Sequence, residues 1–174
     1  TSKSMSISYA TNYIRNRKFS STLKVADFGC LDGEFLSLFK DMSPIKEIDL
    51  HGFDYNESLL ELGRSNVPEI VYHNRNLFSD DFKDFKNTFD IGFCVNTLHE
   101  IYSFYSQNGE LKKKKGIDAV IKSIENMKET IKEDGILVIF DGVDSIHRNK
   151  VIRIRLKTKE ALNSFYKFFE EYKF

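Results

Sequence analysis

Short apolar runs alternate along this chain with stretches whose apolar residues recur at three- and four-residue steps. Leu23–Phe28 (LKVADF) reads as a buried strand that ends in a glycine turn. Glu34–Met42 follows, with Phe35, Leu36, Phe39 and Met42 on one helical face. Ile48–Phe53 is a second strand, after which Asn56 is placed to cap a helix carrying Leu59, Leu60 and Leu62. Glu69–Tyr72, after Pro68, is a short third strand. Phe89–Val95 (FDIGFCV) is a fourth, with the near-continuous apolar character of a strand covered on both faces. The clearest helical pattern is Ile117–Glu133, where Ile117, Val120, Ile121, Ile124, Met127 and Ile131 form one stripe and Gly135 is placed to end it. Ile136–Phe140 is then a fifth strand. Strands separated by helices predict right-handed crossovers, so the expected class is α/β: a mostly parallel sheet with helices on both faces.

The 174 residues suit one domain with a substantial core. The expected organisation is an N-terminal helical segment over 1–22, a core over 23–143 and a C-terminal segment over 144–174. No repeat or Pro-rich linker subdivides them, and Lys112–Lys115 is the one low-complexity tract. The chain opens on Thr1 and stops at Phe174 inside an aromatic, helix-like run, as expected of a piece of a longer protein. Its 26 basic and 26 acidic residues balance, which removes any long-range field favouring nucleic acid or an anionic membrane. No apolar run reaches the roughly 20 residues that span a bilayer, so no membrane association is expected. Thr1–Ser8 lacks the charged-then-apolar pattern of a secretory leader. Cys30 and Cys94 stand far apart without metal-ligand spacing. A reduced, cytoplasmic protein with no metal is the expectation.

Ligands on such sheets sit at the carboxyl ends of the strands, near the point where the strand order reverses. The first strand is followed by Asp27-Phe28-Gly29-Cys30-Leu31-Asp32-Gly33. Gly29 lets the chain turn sharply, and Gly33 allows close approach at the start of the next helix, whose N-terminus suits a polar ligand group. The second strand is followed by Asp54, a carboxylate placed to accept hydrogen bonds from both hydroxyls of a ribose, about one βαβ unit beyond Asp27. Tyr55, next along, offers an aromatic face to an adenine ring.

On these residues the chain resembles the class I S-adenosylmethionine-dependent methyltransferases, over roughly Leu23 to Val143. Their first motif, an acid followed by spaced glycines, matches Asp27-x-Gly29-x-x-x-Gly33 and includes Cys30. The resemblance implies a Rossmann-like fold and S-adenosylmethionine as cofactor. It implies that Asp27 helps hold the amino-acid end of that cofactor and that Asp54 binds its ribose. The third motif falls on Asn74–Phe78, where Asn76 takes the position of an acid that reaches the adenine amino group, with Leu77 beside it. The fourth falls on Phe89–Glu100, so Asn96 and Thr97 are expected to flank the methionine end and the acceptor pocket. Leu31 departs from the family by standing where a middle glycine is common. Too few residues follow Asp141 for a helix and two good strands, so the family's terminal antiparallel hairpin is expected to be missing or abbreviated.

A nicotinamide-binding dehydrogenase uses similar loop physics, but its Gly-x-Gly-x-x-Gly has a first glycine where Phe28 or Asp27 stands. An acid at Asp27 repels a pyrophosphate and suits an ammonium and a sulfonium. A structural glycine turn in another α/β domain is the plainer alternative.

Methyl transfer from a sulfonium is an in-line displacement in which the enzyme chiefly holds donor and acceptor in near-attack geometry. Where the acceptor must lose a proton, His99 is the best-placed base, with Glu100, Tyr102, Tyr105 and His147 behind it. The competing reading has His99 and Glu100 simply beginning a helix. Ile101–Gly116 is long for a connection and rich in aromatic residues. It is expected to act as a substrate loop or lid, with Phe104 and Tyr105 over the acceptor or packed beneath the loop. Asp141-Gly142-Val143 points to the pocket rim, and Tyr9–Phe19 is expected to form a helix that closes over the cofactor.

Lys112–Lys115 reads as a solvated helix start, and Arg153 and Arg155 share one face of an extended segment. Both are candidate phosphate contacts for an RNA acceptor. The neutral charge favours a small-molecule acceptor slightly over RNA. A non-catalytic methyltransferase-like module of a larger protein is the alternative of a different class. Nothing in the sequence specifies the oligomeric state.

Overall fold

Five parallel strands form one sheet: β1 (Leu23–Phe28), β2 (Ile48–Asp54), β3 (Ile70–Asn74), β4 (Phe89–Val95) and β5 (Ile131–Phe140). Their spatial order is β3-β2-β1-β4-β5, so the chain winds outward on one side of β1 and then returns to build the other. The order reverses between β1 and β4, which places a ligand crevice at the carboxyl ends of those two strands. This computed structural model describes residues 2–17, 22–105 and 110–142, all within one compact unit, Thr1–Val143. His147, Arg153, Arg155, Val143 and any terminal hairpin lie outside the described residues.

Alternating side chains of the strands feed two cores, one on each face of the sheet. Leu23, Val25, Leu50, Ile91 and Phe93 pack against α1 (Ser2–Arg15), α2 (Glu34–Met42) and α3 (Glu57–Asn66) through Ile7, Ala10, Ile14, Phe35, Phe39 and Leu60. Ala26, Phe28, Phe53 and Phe89 pack on the other face against Leu98 of α4 (Leu98–Tyr105) and Met127 of α5 (Glu110–Thr130), with Phe82 beside them. Phe28 and Phe53 stack at 5.2 Å. Removing one such ring costs about 3–5 kcal/mol. At the β3 edge His51 and His73 share a 2.9 Å hydrogen bond, and burial pushes His73 down to about 4.

β1, α2 and β4 have the expected bounds, and Asn56 caps α3 by accepting from the Leu59 amide at 3.4 Å. Three expectations are corrected. Met42 is exposed, so Phe35, Leu36 and Phe39 alone form the buried face of α2, while Leu60 with Gly63 forms that of α3. The long helix starts at Glu110 and stops at Thr130, with Ile117 and Ile121 on its exposed side. Val120, Ile124 and Met127 of the stripe pack against the core, and small and polar residues, Ala119, Ser123, Asn126 and Thr130, are buried beside them. Each of those polar side chains is satisfied, Ser123 donating to the Ala119 carbonyl, Thr130 to Met127 and Asn126 to Leu77.

Gly135, third, ends no helix but lies within β5. There the chain bulges between its pairings to Phe89 and Ile91. A Cβ on Gly135 would press on the carbonyl oxygens of Asp90 and Phe89, at 2.9 and 3.0 Å. The stretch read as a loop, Ile101–Gly116, is mostly the end of α4 and the start of α5, and Lys112–Lys115 are exposed on the first turns of α5.

Candidate functional site

Three segments meet at the carboxyl end of the sheet: the turn after β1, the end of β2 and the turn after β4. Gly29 leaves β1 with φ +89°, and a Cβ there would fall inside the van der Waals radius of the Thr97 side chain. The missing Cβ is what lets the first and fourth strand turns touch. Gly29 and Cys30 both donate their amides to the Phe53 carbonyl, at 2.8 and 3.1 Å, which ties the turn to the end of β2. Leu31 has φ +53°, so the position of the family's middle glycine keeps a left-handed backbone despite its side chain. Gly33, φ +83°, begins α2. Its open face is filled by the protein itself, because a Cβ there would collide with the Tyr72 hydroxyl. The expected close approach of a ligand at Gly33 is thus an approach of Tyr72.

Asp54 is 5% exposed and accepts from two backbone amides, Leu31 at 3.0 Å and Asn56 at 2.9 Å. An ionised carboxylate has about four acceptor directions, so two remain for a pair of hydroxyls. Asp27 is 3% exposed. Burial pushes it up to about 7, the nearby Asp54 charge adds to this, and Lys3 opposes it. Burial also pushes the Cys30 thiol up, with Asp27 and Asp54 reinforcing it, so Cys30 is a packed thiol and no nucleophile. Tyr55, 70% exposed, presents its ring beside Asp54. Leu77 is buried beneath the same rim.

Asn76 departs from expectation. Its side-chain oxygen accepts from the amides of Phe78 at 3.0 Å and Ser79 at 3.3 Å, and so closes the turn after β3. Both lone pairs are taken, which leaves the side-chain nitrogen to face a base. Asn126 of α5, which sequence pattern did not single out, holds that turn by donating to the Leu77 carbonyl at 2.8 Å. It falls beside the apolar stripe and not on it, so the hydrophobic period gave no signal of it.

In the turn after β4, Asn96 takes φ +56°, a conformation asparagine tolerates, and its amide donates to the Phe140 carbonyl at 2.8 Å. Thr97 lies against Gly29. His99 opens α4 with its side chain half exposed, and its Nδ1 lies 2.7 Å from Asp141 Oδ1. The other Asp141 oxygen accepts from the amides of Leu98 at 2.6 Å and His99 at 3.2 Å. Burial alone would raise Asp141; the bonds from the His99 ring, His99 amide and Gly142 amide outweigh it and hold the carboxyl below its usual range. Tyr105 packs on Phe78 at 4.9 Å and on Phe104 at 5.0 Å, while Phe104 itself is exposed.

The N-terminal helix does not lie where expected. It begins at Ser2, and its second half points away from the site: Tyr13 and Arg17 both donate to the Asp134 carbonyl. The end near the crevice is Lys3, paired with Glu34 at 2.6 Å. Among the described residues no group of three or more His, Cys, Asp and Glu is arranged to hold a metal ion, and no helix is long and apolar enough to cross a membrane.

No family model matches the chain, and no curated protein sequence does. Solved structures do. A TehB-like S-adenosylmethionine-dependent methyltransferase from Corynebacterium glutamicum superposes with TM-score 0.54 at 17% identity, over 79% of this chain and 60% of that one. CalS10, an amino pentose methyltransferase from Micromonospora echinaspora solved with S-adenosylmethionine bound, gives 0.57 at 18% identity, over 82% and 52%. The carbon methyltransferase CurJ gives 0.63 at 10% identity, over 82% and 35%. The chain thus spans three-fifths or less of each of these proteins. At these identities the likeness is one of architecture. In architecture, the chain has the Rossmann-like fold of the class I S-adenosylmethionine-dependent methyltransferases.

Proposed function

We propose that the chain binds S-adenosylmethionine at the carboxyl end of β1 and β2 and transfers its methyl group to an acceptor beside α4. The observation that carries this reading is the pair of buried carboxylates, Asp27 and Asp54, on either side of a left-handed glycine turn. The residues fit the cofactor. Asp54 keeps two acceptor directions for ribose hydroxyls, Asp27 supplies negative charge where an ammonium and a sulfonium need it, and Tyr55 offers a ring to the adenine. When bound, the cofactor supplies an electrophilic methyl carbon on a cationic sulfur. The chain's part is orientation: Gly29, Asn96 and Thr97 shape the methionine end, and His99 is placed to take a proton from the acceptor. Holding the two reactants in near-attack geometry is worth several kcal/mol.

A small-molecule acceptor in a cytoplasmic setting remains the preferred reading, supported by zero net charge and by the amino pentose acceptor of CalS10. Titration calorimetry with S-adenosylmethionine, S-adenosylhomocysteine and NAD+ tests the donor. Heat with the first two alone is expected; tight binding of NAD+ with no heat from the others overturns it.

A second reading, a methyltransferase-like binding module, is favoured by one observation: Leu31, at φ +53°, stands in the turn after β1 where a glycine is common in the family. Donor binding without transfer on any fraction of a cell extract, followed with methyl-labelled donor, would select the module.

A further inference from the structure

His99 and Asp141 are 42 positions apart in sequence, on the turns after adjacent strands β4 and β5, yet their side chains meet at 2.7 Å. The carboxyl group is nearly covered, 9% exposed, while the imidazole is 51% exposed. Asp141 Oδ2 accepts from the two amides at the start of α4, and Oδ1 accepts from the His99 ring. One carboxylate therefore fixes both the helix that carries His99 and the rotation of its ring. A carboxylate only accepts, so the proton in this contact sits on Nδ1, and in the neutral ring Nε2 then carries the lone pair.

We propose that Asp141 is the positioning residue of an Asp141–His99 proton-accepting pair, and that the methyl acceptor is a hydroxyl or ammonium group that must lose a proton in the reaction. This rests on the reading that the chain binds the methyl donor. Loss of the acceptor's proton, before methyl transfer from an ammonium or with it from a hydroxyl, leaves a lone pair that forms the new bond to the methyl carbon, and the carbon–sulfur bond breaks with its electrons passing to sulfur as a neutral thioether. The acceptor's proton passes to His99 Nε2, and the imidazolium so formed is balanced by Asp141 until water removes the proton. A thiolate or carboxylate acceptor would give such a pair nothing to do.

The test is the long-range proton–nitrogen correlation spectrum of the His99 ring in nitrogen-labelled full chain, assigned through His99→Gln. The wild type is expected to show one dominant tautomer, protonated at Nδ1, and Asp141→Asn to reduce that form to a minority. An Nε2-protonated ring in the wild type, or a spectrum unchanged in Asp141→Asn, overturns the proposal and leaves Asp141 as a helix cap only. Because Asp141→Asn also replaces the carboxylate that accepts from the first amides of α4, the wild-type spectrum decides alone if that variant fails to fold. Calorimetry with S-adenosylhomocysteine on the same sample separates the two failures. Donor binding with the wrong tautomer sinks this pair alone, whereas no donor binding with the expected tautomer sinks the methyl-transfer reading beneath it.

Discussion

The two ends of the sheet use the same residue type in opposite ways. At the amino end, acids are closed on cations: Asp90 takes Lys132 at 2.8 Å together with the Lys24 amide, and Asp49 faces Lys24 at 3.6 Å. A recess of about 400 Å³ at that end is lined by Arg15, Arg17 and Lys46 with a single acid, Glu47. At the carboxyl end, Asp54 and Asp141 are closed on backbone amides, and the nearby cation, Lys3, is taken by Glu34. Amide bonds satisfy lone pairs without cancelling charge. The carboxyl end therefore keeps negative charge on nearly covered carboxylates, where it acts on a cation more strongly than in water. Four of the five positive-φ residues among those described, Gly29, Leu31, Gly33 and Asn96, are at this end too. Backbone strain and uncompensated charge coincide, as they do at sites kept for a ligand.

The largest expected effect breaks the contact between the two carboxyl-end turns. Gly29→Ala places a methyl group against Thr97 at a φ that L-residues avoid. It should cost about 3 kcal/mol of stability, read by denaturant unfolding, and abolish donor binding. A variant as stable as the wild type would mean the turns are not in contact. Next comes Asp54→Ala, which removes the partner of the Leu31 and Asn56 amides and, with it, the proposed ribose contact. Donor affinity should fall about a hundredfold, near 2.7 kcal/mol. The matching amino-end change, Asp90→Ala, should lower stability by about 1–2 kcal/mol and leave donor affinity alone. Equal losses of affinity in both would erase the difference between the ends.

Proton linkage sharpens the comparison further. Folded Asp27 keeps its proton up to about 7, whereas an unfolded aspartate releases it near 4. Its raised value contributes stability in full below about pH 4, and that stability is lost as pH climbs through 7. A bound cation favours the ionised form, so donor binding should expel a proton near neutrality, and affinity should rise by up to about tenfold per pH unit below 7. Binding heats measured in buffers of different ionisation enthalpy would reveal the proton, and Asp27→Asn should remove that dependence. His73 has the opposite sign. Its depressed value gives stability present above about 6.5 and lost as pH falls towards 4, on the order of 1 kcal/mol for a half-buried ring. His73→Phe should flatten the acid side of the stability profile and leave donor binding unchanged.

How much of this was legible in the sequence depends on which force dominates each element. β1, α2 and β4 are held by apolar burial, and their hydrophobic pattern set their bounds without error. The long helix α5 packs Val120, Ile124 and Met127 of its stripe against the core, but it also buries Ser123, Asn126 and Thr130, whose hydroxyls and amide find partners only in the folded chain and give no apolar signal. Ile131 joined that stripe by period but belongs to β5, where pairing with Phe89 overrides it. The acids at the ends of β1 and β2 were visible because the end of a strand fixes where its last residues lie. The bond from Asp141 to His99 was not, since it depends on β4 and β5 being neighbours with a defined register.

The smallest effect is the one most specific to the carboxyl end. Leu31 holds φ +53° with its side chain more than half exposed, so it endures a left-handed backbone while burying little. That conformation costs a non-glycine residue roughly 1–2 kcal/mol, whereas glycine loses roughly 0.5–1 kcal/mol of chain entropy on being fixed. Leu31→Gly should therefore stabilise the fold by about 0.5–1 kcal/mol, with its amide still donated to Asp54 and donor affinity changed less than about twofold. Asn87, φ +50° at the amino end, is the control: asparagine tolerates this region, so Asn87→Gly should gain close to nothing. Thermal unfolding of the two variants side by side reads the difference. Should Leu31→Gly destabilise the chain or weaken donor binding, the exposed leucine is itself part of the site, and strain at this turn is held for a contact rather than tolerated.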